Sequence, residues 1–174
     1  VEKGSYLRKV VQQYKLDQNF GRGRIWRLVH DDTKLSPPPH MEHEKSKKLV
    51  KYLEHPNGWW RNTAQKLLVL RGDKSVVPAL TDMAFKDKNH LARIHALWTL
   101  EGLNALDPSM IRRAMQDAHP QVRIAAIRTS ETLYKAGDKS LIPDVISLLH
   151  DADPDVVIQA MMTLNFLQWP DSPK

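Results

Sequence analysis

An all-helical, right-handed solenoid of about four helix pairs, preceded by a short helix and a lone β-strand, is the fold that this 174-residue sequence predicts. Three observations predict it. An acidic turn is followed six positions on by Arg and three further by Ala, as in Asp117, Arg123 and Ala126 and again in Asp87, Arg93 and Ala96. Asp151, Val157 and Ala160 repeat the spacing with Val in place of Arg, and Glu54, Arg61 and Ala64 repeat it with one extra turn residue. The second observation is the period: the Ala positions lie 32, 30 and 34 residues apart, the length of one stacked helical unit. The third is that apolar residues between these turns recur at helical spacing, with Gly and Pro at the ends of each run.

Taken in order, residues 4–15 place Tyr6, Leu7, Val10, Val11 and Tyr14 on one helical face. Asn19, Gly21 and Gly23 then punctuate a turn. Arg24-Ile25-Trp26-Arg27-Leu28-Val29 is β-branched and aromatic, and predicts a strand that is apolar on both faces. Such a strand belongs inside a sheet covered on two sides, and no second strand is evident. Pro37-Pro38-Pro39 favours an extended linker, so the expected organisation is 1–32 as the end of another domain, 33–43 as linker and 44–174 as solenoid. Within the solenoid the expected pairs are 44–54 with 59–71, 75–86 with 90–103, 108–117 with 120–136, and 139–149 with 154–168. Pro78, Pro108, Pro120, Pro143 and Pro154 sit near helix starts, where a missing N–H costs least. Gly72, Gly102 and Gly137 sit at or near helix ends, as expected for left-handed caps.

Composition excludes several classes. There is no cysteine, which removes disulfides, thiolate zinc sites, iron–sulfur clusters and covalent haem attachment in this segment. No apolar run reaches membrane-spanning length. The chain begins at Val1 without an initiator Met, and reads as a processed or excised piece. The net charge of +6 is uneven: residues 1–54 carry 12 basic against 7 acidic side chains, and residues 55–174 carry 14 against 13. A nucleic-acid-binding array should carry positive charge along the array, and this one does not.

The phrase Asp-x-x-x-x-Val-Arg-x-x-Ala at 117–126 resembles the HEAT-repeat signature, and the resemblance extends over about 45–168. It implies a ladder in which turn aspartates and helix arginines of neighbouring units bond to one another. Arg61, Asp87, Arg93, Asp117, Arg123 and Asp151 match by position, and Val157 implies that the ladder stops before the last unit. At the front, Ser5-Tyr6-Leu7-Arg8-Lys9 and Gly23-Arg24-Ile25-Trp26-Arg27-Leu28 are similar to the closing segment of a β-propeller family. These are the glucose/sorbosone-dehydrogenase-like, so-called membrane-bound dehydrogenase propellers of planctomycete-type bacteria. The stretch from His55-Pro56-Asn57-Gly58-Trp59 to Gln65 resembles their first HEAT repeat. The resemblance implies an exported, periplasmic parent with a quinone cofactor and, in many members, a cytochrome c domain. The family's catalytic, calcium and haem residues lie outside the matched stretch.

Candidate chemistry within the segment is sparse, and no catalytic, cofactor-binding or metal-ligating residue is expected. His40 and His43 stand one helical turn apart, but no third ligand accompanies them. Asp151-Ala-Asp153-Pro-Asp155 lacks the Gly and distal Glu of a calcium loop and reads as acidic helix capping. Arg61, Arg93 and Arg123 could line up phosphates, but each has a turn carboxylate at fixed spacing. Trp60 and Trp98 fall on apolar stripes and are expected in the core, whereas Trp26 and Trp59 are candidate partner contacts. The expected function is a non-catalytic scaffold that binds a protein or neighbouring domain, with no membrane span and no nucleic acid. The alternative is a nucleic-acid-binding helical-repeat protein such as a DNA glycosylase of that type. It would need basic residues on successive helices, and none lies between Asp151 and Gln168.

Overall fold

A computed structural model describes residues 4–18, 30–32 and 40–168. It divides the chain into two compact units, Val1–Pro38 and Pro39–Lys174. In the first unit, α1 (Tyr6–Gln13) starts at Ser5, whose hydroxyl accepts from Arg8 N at 3.2 Å. A single 3₁₀ turn, Leu16–Gln18, follows it. Tyr6, Leu7 and Tyr14 on the expected apolar face are exposed. The expected strand at 24–29 and the proline linker at 37–39 lie outside the described residues.

The second unit is a helical solenoid. Its helices are α2 (Ser46–Tyr52), α3 (Gly58–Arg71), α4 (Val77–Lys86), α5 (His90–Gly102), α6 (Pro108–Ala114), α7 (Pro120–Lys135), α8 (Ile142–Ser147) and α9 (Pro154–Phe166). Local chemistry sets their starts: Asn57, Asn89, Asp107, His119 and Asp153 each accept a hydrogen bond from a first-turn amide. Proline follows in the first two positions of α4, α6, α7, α8 and α9.

Consecutive helices pack as α2 on α3, α4 on α5, α6 on α7 and α8 on α9. The second helix of each pair, here the B helix, also packs on the next B helix, giving the row α3, α5, α7, α9. Fully buried Leu49, Leu68, Leu80, Leu97, Ile111, Ile127, Val145 and Leu164 form one continuous core between the two layers. The recurring Ala64, Ala96, Ala126 and Ala160 have no exposed surface at all, so a larger side chain there would force helices apart.

Two sequence expectations shift. Gly72 and Gly137 are left-handed, with φ of 61° and 101°. Gly102 is not: it ends α5 inside the helix, and Asn104 takes the positive φ instead. A Cβ at Gly102 would lie 2.5 Å from Val69 Cγ2, so this glycine is required by the close approach of α3 and α5. The solenoid also begins earlier than residue 44. Met41, in the 3₁₀ turn Met41–His43, is buried in the core, and the Arg71 guanidinium binds the carbonyls of Met41, Glu42 and Glu44.

Candidate interaction face and inter-unit rungs

Each B helix is preceded by the same small turn. Asp87, Asp117 and Asp151 accept, through Oδ1, from the amide two residues on at 2.8 Å in every case. In the first helix pair, α2 and α3, His55 rather than Glu54 holds this place: its Nδ1 accepts from Asn57 N at 3.1 Å. The sequence reading with an extra turn residue is therefore corrected to a six-residue step from His55 to Arg61. The B-helix arginines fold back over these turns. Arg61 binds His55 O and Pro56 O, Arg93 binds Asp87 O and Lys88 O, and Arg123 binds Asp117 O and Ala118 O.

Two of the arginines also reach the next unit. Arg93 Nη2 donates to Asp117 Oδ1 at 3.0 Å. Arg123 grips Asp151 with two bonds, Nη2 to Oδ1 at 2.7 Å and Nε to Oδ2 at 2.9 Å. Both pairs are largely shielded from solvent. The Arg123 guanidinium, with the Asp153 amide, holds the Asp151 carboxyl below the usual carboxylate range. Among the described residues Arg61 forms no ion pair with Asp87. A further inter-unit pair that the sequence reading did not find joins Arg112 on α6 to Asp144 on α8, at 3.0 and 3.1 Å.

The α3–α5 seam is closed by neutral groups instead. His95, 5% exposed, places Nδ1 2.7 Å from Gln65 Oε1. Burial, with the nearby Arg61 charge, lowers its pKa to about 4. Besides their Arg–Asp pairs, the α5–α7 and α7–α9 seams each carry a polar bridge between the helices. Glu101 Oε1 accepts from the Thr132 hydroxyl, and buried Glu131 accepts from Thr163 Oγ1 at 2.8 Å and from Arg128 Nη1 at 2.8 Å.

The outward side of the B row follows the same register. Two residues after the recurring Ala stand Lys66, Trp98, Arg128 and Met162, and all four are exposed. Six residues after it stand Leu70, Gly102, Thr132 and Phe166, also exposed. Between α3 and α5 this face dips into a groove of about 370 Å³ lined by Asn62, Gln65, Lys66, Val69, Leu70 and Trp98. Between α7 and α9, Lys135 Nζ lies 4.3 Å from the Phe166 ring centroid.

Trp98 is thus not the core residue that its apolar stripe suggests. Its neighbour His95 takes the buried place, and the indole, 36% exposed, packs edge-on to that imidazole at 5.4 Å. Trp60 is partly buried, stacked on His55 at 4.6 Å and edge-on to Tyr52. Trp59 is exposed in the first turn of α3, and Trp26 lies outside the described residues. Among the described residues no group of three or more His, Asp or Glu side chains could hold a metal ion, and no helix is long and apolar enough to cross a membrane.

A family described as HEAT repeats matches residues 108–174, the stretch from α6 through α9. No curated protein matches the chain. A HEAT-repeat region within a helical solenoid fits a helical scaffold or interaction module, and this fold is typically non-catalytic.

Proposed function

We propose that residues 40–168 form four HEAT-like units and act as a protein-binding scaffold whose working surface is the exposed side of the B helices. The observation that carries this reading is the register itself. One position is exposed on all four of α3, α5, α7 and α9 and holds Lys66, Trp98, Arg128 and Met162, and the position four residues on adds Leu70 on α3 and Phe166 on α9. Scattered exposed apolar side chains carry no message, but a row matched in register along one face marks a surface for a partner. Arg93 and Arg123 belong to the internal rungs, where carboxylates and carbonyls occupy them, and in this reading they hold the scaffold rather than the partner. The larger assembly we propose, a propeller-bearing exported oxidoreductase, is supported only by sequence resemblance, that of Ser5 to Lys9, Gly23 to Leu28 and His55 to Gln65.

Site-specific photo-crosslinking tests the scaffold reading. A photoreactive residue at Trp98 or Met162 should give protein adducts in an extract of the source cell, whereas one at Ala79 on the exposed side of α4 should not. Equal labelling at all three positions, or none at Trp98 and Met162, would overturn it.

A further inference from the structure

We infer that the B-helix face takes an acidic peptide segment with a large apolar anchor, the anchor seated between α3 and α5 against Trp98. This deepens the scaffold reading and rests on it. The groove supplies the anchor site. Trp98 and Val69 form apolar walls, Leu70 lies beside them with 71% of its surface exposed, and the cavity of about 370 Å³ has room for one large side chain. Trp in a partly open pocket is the side chain that gains most from a covering apolar group.

The charges around the groove select the rest of the segment. Lys66 lines the groove and forms no ion pair among the described residues. Lys135 rests on the Phe166 ring, with no carboxylate partner among the described residues. Arg128 uses Nη1 for Glu131, and 56% of its side chain remains exposed. The acidic groups on the same face are already engaged: Glu101 accepts from Thr132, and Glu131 is buried between Arg128 and Thr163. Lys66, Arg128 and Lys135 therefore outnumber Glu101, the carboxylate of this face without a cation partner among the described residues, which complements a segment bearing Asp or Glu on either side of its anchor.

A nucleic acid fits less well. Tracking a phosphate backbone needs cations along the whole row, and α9 presents Met162 and Phe166 where α3 and α7 present Lys66 and Arg128. The face instead alternates cationic and apolar side chains, Lys66 beside Leu70, Trp98, Arg128, and Lys135 over Phe166, the pattern that an acidic segment with apolar anchors complements.

The test is fluorescence anisotropy on the full chain with four labelled probes. The first is a peptide of about 12 residues, long enough to cross two B-helix seams, with Glu and Asp around a central Leu-Phe pair. The second carries Lys for each acid, the third carries Ala for Leu and Phe, and the fourth is a single-stranded oligonucleotide of similar length. The first probe should bind at least about 10-fold more tightly than each of the others. Trp98→Ala and Lys66→Glu should each weaken it by about 5- to 10-fold, with Trp98→Phe retaining part of the affinity and Lys86→Glu on α4 leaving it unchanged. Unchanged helical circular dichroism separates these losses from unfolding. Equal affinity for the Lys-bearing peptide, tighter binding of the oligonucleotide, or indifference to both Trp98→Ala and Lys66→Glu would overturn the inference. If crosslinking at Trp98 still captures a protein while the acidic peptide fails to bind, the scaffold reading stands and this occupant is wrong; if neither occurs, both fall.

Discussion

Asp151 accepts two bonds from Arg123 and one from the Asp153 amide, so a single carboxylate ties a turn together and joins it to the preceding unit. Replacing it strands a shielded guanidinium, which costs about 1–3 kcal/mol. Asp151→Ala, and Asp117→Ala at the rung above, should each lower the chemical-denaturation midpoint accordingly; an unchanged midpoint would show that the rungs contribute nothing. The depressed pKa of Asp151 also has a sign. Its contribution is present above the unfolded carboxylate pKa of about 3.9 and is lost as pH falls through the lower folded value. His95 works in a different window. Its folded pKa of about 4 lies below its ordinary 6.5, so the unfolded chain binds the extra proton between those values. Stability should therefore fall as pH drops from 6.5 to about 4, by up to about 3 kcal/mol. Melting curves of the parent and of His95→Gln across that range would check it, and the variant should lose most of the slope.

At the scale of elements, α5 approaches α3 closely at Gly102. Alanine is the better helix former by about 1 kcal/mol, yet its Cβ would collide with Val69, an overpacking cost of about 1–3 kcal/mol. Gly102→Ala should thus destabilise, and adding Val69→Ala should recover much of the loss; a stabilised single variant would mean that the two helices can move apart. The helices themselves were legible in the sequence because their boundaries are written locally, in Asn57, Asn89, Asp107 and Asp153 as caps and in prolines one or two residues later. The rungs were legible as a six-residue spacing but not in their connectivity, because Arg61 and Arg123 occupy equivalent places and only one of them finds a carboxylate. The groove was hidden for a different reason. Trp98 is apolar and one residue from a buried stripe, so its type argued for burial, and only its step of two from Ala96 marks it as equivalent to Lys66 and Arg128.

For the molecule as a whole, the start of the solenoid is a physical boundary that can be measured. A chain of residues 39–174 keeps Met41 in the core and the three carbonyls held by Arg71. A chain of residues 44–174 lacks Met41 and two of those carbonyls, and should be less stable by about 2–4 kcal/mol. Equal melting of the two would place Met41 outside the cooperative unit. The uneven seams have a further consequence, which concerns order in time. Between α5 and α7 and between α7 and α9 the units are clasped by guanidinium–carboxylate pairs, while α3 meets α5 through neutral His95 and Gln65. Gradual acidification would protonate His95 before Asp151, whose carboxyl Arg123 holds below the usual carboxylate range. The first helix pair would then detach while the remaining three still hold together, so that the array would come apart from one end like a zip with a single slider.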